Sequence, residues 1–200
     1  MINFTDMTGL ASVVVAMTAL AVRLPGATRL HRTQLAMLVC VATVVVLIPF
    51  GSLPLAAYVR GWMGDLSITS LVLLTLAILR PLCGWPPSGA QAKTALLILI
   101  AVAAMGLYPM ALGLGFFDPY RLGYGNQWFI GGLLLVALVA CFRQLPLAAL
   151  AIALAVFAWS VGWYESTNLW DYLLDPLLAI YAICALARQS VQTLLKSRRG

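Results

Sequence analysis

Residues 164–176 read YESTNLWDYLLDP, which sets three carboxylates (Glu165, Asp171 and Asp175) beside two tyrosines and a tryptophan. The chain on either side is apolar for the length of a helix: about Leu147 to Trp163 before it, and Pro176 to about Ala187 after it. The polar stretch is too short to be a domain. It reads as a connection between two apolar helices, lying on one face of a membrane.

The same grammar extends outward over the whole chain. Sixty-three per cent of the residues are hydrophobic, 9% are charged and the mean hydropathy is +1.00, more apolar surface than a soluble fold of 200 residues can hide. A bilayer core of about 30 Å takes roughly 20 apolar residues per helix, and the sequence offers seven apolar runs with short polar or Pro/Gly-marked connections. These runs are not the ten-residue alternating segments of an outer-membrane barrel. The expected fold is all-α: a polytopic transmembrane helical bundle of about seven spans, one integral membrane domain over 1–200 with a basic cytoplasmic tail at 188–200.

In chain order the spans fall at about Thr8 to Leu24, Gln34 to Phe50, Asp65 to Arg80, Lys93 to Tyr108, Trp128 to Phe142, Leu147 to Trp163, and Pro176 to Ala187. Asp6 precedes the first run and no basic residue comes before Arg23, so that run reads as a retained helix rather than a secretory signal. Segment 51–64 (GSLPLAAYVRGWMG) is too interrupted for a span and suits an interfacial or re-entrant piece. Pro109 is expected to break or kink the fourth span, which then continues through MALGLGFF. Gln144, Leu145 and Pro146 form the shortest turn, which makes the flanking helices antiparallel neighbours.

Sorting the charges by connection tests this division. Arg23, Arg29, Arg32, Arg80, Lys93, Arg143, Arg188, Lys196, Arg198 and Arg199 all fall on one side, with no acid among them. All six acids (Asp6, Asp65, Asp118, Glu165, Asp171 and Asp175) fall on the other, with only Arg60 and Arg121. The positive-inside rule makes the first side cytoplasmic, with the N-terminus out and the C-terminus in. The net charge of +6 is then a topological signal with attraction to anionic lipid headgroups, and no nucleic-acid partner is implied.

Chemistry, if there is any, belongs to the acidic side. The third span rises only about 22 Å, and Asp175 to Arg188 about 20 Å, which places both aspartates at or a little below the outer surface. Asp65 before LSITS and Asp175 before Pro176 read as helix N-caps. Alternatively Asp65, Asp118, Glu165, Asp171 and Asp175 line one outward cavity and bind a cation or polar ligand, with Arg121 gripping a phosphate or carboxylate. Trp62, Tyr120, Trp163 and Trp170 could rim such a site; as an interfacial belt they need no ligand.

No cofactor motif is present: HExxH, paired haem histidines, a Walker loop, GxSxG and an S4-like arginine ladder are all missing. A divalent cation on the acids is the one cofactor the composition allows. Cys40, Cys83, Cys141 and Cys184 show neither metal spacing nor a disulfide framework. The reading that follows is a bacterial inner-membrane accessory or scaffold subunit rather than an enzyme. It would bind a membrane or periplasmic protein partner, or an envelope lipid or polysaccharide intermediate. A small transporter or channel using the outer aspartates, and an intramembrane transferase or hydrolase acting on a lipid headgroup, are the alternatives.

Overall fold

The computed structural model describes residues 4–86 and 89–197, so Arg198, Arg199 and part of the CGWPPSGAQ turn lie outside the described residues. The protein is 78% helical. Its elements are α1 (Phe4–Val22), α2 (Arg32–Leu47), β1 (Pro49–Phe50), β2 (Leu53–Pro54), α3 (Leu55–Met63), α4 (Ile68–Cys83) and α5 (Ala90–Pro109). They continue with α6 (Gln127–Phe142), α7 (Pro146–Ser160), α8 (Leu169–Leu173) and α9 (Pro176–Ser197). The chain associates with a membrane: Phe4–Val22, Ala90–Leu114 and Pro176–Leu195 are long and apolar enough to cross one. Arg32–Leu47, Ile68–Cys83, Gln127–Phe142 and Pro146–Ser160 are apolar but shorter.

The centre of the bundle is α7, which packs against α4, α5, α6 and α8. Its buried face is Ala148, Ala151, Ala155 and Ala158, spaced three, four and three residues apart, so one stripe of small side chains lets the neighbouring backbones approach closely. In contrast, α6 is apolar all round, with Ala140 its one buried residue and Leu134, Leu135 and Leu138 exposed. Such a helix has no polar face to give to water, and lipid is the medium that suits it. The short turn does make α6 and α7 neighbours, with Gln144 in the left-handed region (φ 56°) at the end of α6. Elsewhere α1 packs on α2, α3 and α4, while α5 packs along α9.

Three boundaries differ from the sequence reading, and one irregularity agrees with it. Segment 49–63 is a two-residue antiparallel hairpin (Pro49 opposite Pro54, Phe50 opposite Leu53) followed by the amphipathic α3. α4 starts at Ile68 rather than Asp65 and runs through Pro81 to Cys83. α5 changes character at Pro109 and continues, as the sequence suggested: a π-helical turn, Met110–Leu114, carries it on until Gly113 turns left-handed (φ 86°). α9 does not stop near Ala187 but continues to Ser197, because Leu194 and Leu195 extend the apolar pattern past Arg188. At 22 residues it rises about 33 Å, so shortness of this helix is not what buries Asp175.

Candidate functional site

Asp175 is 6% exposed and both of its oxygens are committed. Oδ1 accepts the Leu178 N–H at 2.8 Å, which is the N-cap of α9 with Pro176 at the first helical position. Oδ2 faces α4 and accepts from the Ser67 N–H (3.0 Å), the Ser67 hydroxyl (2.7 Å) and the Ser70 hydroxyl (2.5 Å). Ser67 is itself the N-cap of α4, accepting from the Ser70 N–H at 3.2 Å. One carboxylate therefore joins two helix N-termini, and two positive dipole ends offset its charge. Four donors fill the roughly four acceptor positions of a carboxylate.

Asp65 is not the cap its position suggested, because Ser67 takes that place two residues later. It instead forms a forked pair with Arg60 of α3, Nε to Oδ1 at 2.7 Å and Nη2 to Oδ2 at 3.2 Å. The remaining arm of Arg60 reaches Asp6 of α1 at 3.2 Å. The triad lies across α1 at Gly9, where any Cβ would collide with the guanidinium and with Asp65. The hydrogen bond to Asp65, against the cost of burial, pushes the Arg60 pKa further up and keeps the guanidinium charged. Asp6, Arg60 and Asp65 border a cavity of ≈ 560 Å³ with Leu53, Pro54 and Ala57.

The third cluster is built on the connection that ends in α8. The Tyr120 hydroxyl donates to both oxygens of Asp171 (3.0 and 2.9 Å), and the Ser166 hydroxyl donates to Oδ2 at 2.5 Å. Asp118 accepts the Tyr120 N–H at 3.0 Å and caps the 3₁₀ turn Pro119–Gly123. The Asp118–Pro119 and Asp175–Pro176 pairs are thus the same cap-then-proline device at two helix starts. Asn168, wholly buried, caps α8 through the Trp170 N–H (2.9 Å) and donates to the Tyr120 carbonyl (2.9 Å). Trp170 donates to the Pro119 carbonyl at 3.0 Å and its ring lies 4.6 Å from that of Phe129.

Two tyrosines tie this cluster to the others. The buried Tyr164 donates to the Leu66 carbonyl at 2.8 Å, just ahead of Ser67, and its ring lies 5.3 Å from that of Tyr172. Thr8 of α1 donates to the Trp163 carbonyl at 2.5 Å. Burial pushes the Tyr120 and Tyr164 hydroxyls up, helped by the charge of Asp171 at Tyr120 and of Asp65 at Tyr164. Both phenols stay protonated donors through neutral pH. Every buried side-chain nitrogen or oxygen among the described residues has a partner.

Five of the six acids are divided among three hydrogen-bonded clusters: Asp6 with Asp65, Asp118 with Asp171, and Asp175. Asp65, Asp118, Asp171 and Asp175 each hold backbone or a neighbouring side chain, and only Asp65 of these borders the cavity beside α3. No three metal-ligating side chains come together among the described residues. Of the aromatic candidates, Tyr120, Trp163 and Trp170 are packed inward, while Trp62 is 84% exposed. What remains open is Arg121 and Glu165, both exposed with no side-chain partner among the described residues, together with Trp128 and Tyr124.

The residues that sequence reasoning missed are Ser67, Ser70, Asn168 and Gly123. The S-x-x-S spacing at the head of α4 and the Asn before LWDYL are cap signatures that could have been found. Gly123 is legible only in three dimensions, where a Cβ would collide with Asn168 and Trp170. No family model, curated protein or solved structure matches the chain.

Proposed function

We propose that this is a seven-span protein of a bacterial inner membrane, N-terminus out and C-terminus in, that works as an accessory or scaffold subunit through its outer face. Seven apolar helices and the segregation of ten of the twelve cations from all six acids support the topology. One observation carries the functional reading: every acid on that face except Glu165 accepts a hydrogen bond or ion pair from the protein itself. Moving a proton or binding a cation there would require displacing fixed donors, which weighs against the transporter and hydrolase alternatives. The open groups, Arg121 with Trp128 and Tyr124, have the chemistry to bind: a guanidinium for a phosphate or carboxylate, and aromatic faces for a partner or a lipid-linked glycan.

A photo-crosslinking residue at Trp128 in growing cells tests this reading. The expected result is a discrete adduct with a membrane protein or a lipid-linked glycan, reduced about tenfold by Arg121→Glu, the loss of about 1.4 kcal/mol. Absence of any adduct, together with proton or cation flux in proteoliposomes that disappears in Asp171→Asn, would establish the transporter instead.

A further inference from the structure

α4 and α9 are joined at their N-termini by Asp175 and separated beyond it by a cavity of ≈ 360 Å³. One wall is the α4 face Ser70, Leu73, Ala77 and Arg80, residues three to four apart that share one side of the helix. The opposite wall is Leu177, Leu178 and Tyr181 of α9, and Ala16 and Leu20 of α1, with Arg23 just past its end, close one edge. Lys93, in the first turn of α5, and Leu147, at the start of α7, complete the end remote from Asp175.

Polarity is strongly divided along this groove. From Ser70 to Arg80 it runs about 15 Å along α4, and between them its lining is almost wholly aliphatic. At the far end stand three cations, Arg23 just past α1, Arg80 in the last turn of α4 and Lys93 in the first turn of α5, and no carboxylate is among the lining residues. Arg23 and Lys93 are exposed and have no ion-pair partner among the described residues. An apolar slot with a few convergent polar groups at one end is the form of a ligand site, and its volume lies within the range of about 300–1,000 Å³ for such pockets. Basic pockets between membrane helices are suited to anionic lipid headgroups.

We infer that this groove is a binding site for an anionic phospholipid, one acyl chain lying between α4 and α9 and the phosphate held by Arg23, Arg80 and Lys93. A free phosphate would leave the aliphatic slot unfilled, and a zwitterionic lipid would bring its own cation to Arg23 and Lys93, which have no ion-pair partner among the described residues. The assignment of that lipid to the cytoplasmic leaflet rests on the topology proposed above. The site itself depends only on the groove and its charges.

Native mass spectrometry of the full chain from nanodiscs containing equal phosphatidylglycerol and phosphatidylcholine tests it. Retention of phosphatidylglycerol in at least about tenfold preference over phosphatidylcholine is expected. The double variant Arg23→Gln/Lys93→Gln should lose that preference, and Ala77→Phe should lose retention by filling the slot with the cations intact. Arg143→Gln, outside the groove, should leave retention unchanged, and inorganic phosphate should not displace the lipid. Equal retention of the two lipids, full retention in both groove variants, displacement by phosphate alone, or a second copy of the chain bound in place of lipid would each overturn the site. Retention with the predicted variants, alongside labelling that places residue 29 outside, would refute the topology and leave the site standing.

Discussion

Replacing Asp175 with Ala is expected to lower the unfolding free energy by about 3–5 kcal/mol, the largest loss from any single substitution among the six acids. The reason is the double grip. Alanine leaves the Leu178 N–H without its cap and the Ser67 N–H, Ser67 hydroxyl and Ser70 hydroxyl without their shared acceptor. Asparagine is instructive because a residue that merely capped α9 would tolerate it fully. Here its single carbonyl can serve Leu178 or Ser67 but not both, and the serine hydroxyls must turn to accept from the amide. Asp175→Asn should therefore fall between parent and alanine, losing about 1–3 kcal/mol. Denaturant unfolding of the purified protein in detergent reads both values. Parent-like stability of Asp175→Asn would show that one helix alone is held, and a near-neutral alanine variant would remove the staple altogether.

Gly123→Ala is expected to cost about 1–3 kcal/mol, since its methyl group would occupy the position of the Asn168 side chain. Asn168 cannot step aside, being wholly buried and bonded on both sides of its amide to the Trp170 N–H and the Tyr120 carbonyl. Asn168→Ala alone should cost about 2–4 kcal/mol by leaving those two backbone groups unpaired. The two losses should not add. Once Asn168 is truncated the methyl group at 123 meets only the edge of the Trp170 ring, so the double variant should lose clearly less than the sum of the two single losses. Unfolding of the four-member cycle measures the coupling, and strict additivity would mean that the two residues do not meet.

How much of this could be read in the sequence follows from what each feature depends on. Helices with a local signal were legible: the Gln144–Pro146 turn placed α6 beside α7, and Asp175–Pro176 announced a helix start. α9 was cut short because Arg188 and Gln189 resemble the beginning of a tail, although the helix continues and Ser190 donates back to the Leu186 carbonyl at 3.1 Å. The fate of the acids was the illegible part. Asp175 looks like a cap with acceptor capacity to spare, and only the fold brings two serines from more than a hundred residues upstream to use it. Asp65 looked like the cap of α4, a place held by a serine two residues on, because Arg60 claims the carboxylate across the turn. The basic mouth of the α4/α9 groove was visible only as a charge bias, with nothing local to say that Arg23, Arg80 and Lys93 share one pocket.

The central claim is that the acidic-aromatic cap and the basic end of the bundle face opposite sides of the membrane. Substituted-cysteine labelling tests it most directly, in a background where the four native cysteines, all free, are replaced by alanine. Single cysteines are placed by Glu165→Cys, Arg29→Cys and Gln192→Cys, all at exposed positions. A membrane-impermeant maleimide added to intact spheroplasts should label position 165 at once and positions 29 and 192 only after the membrane is permeabilised. Labelling of 165 and 192 from the same side would mean that α9 does not cross, and would contradict the account.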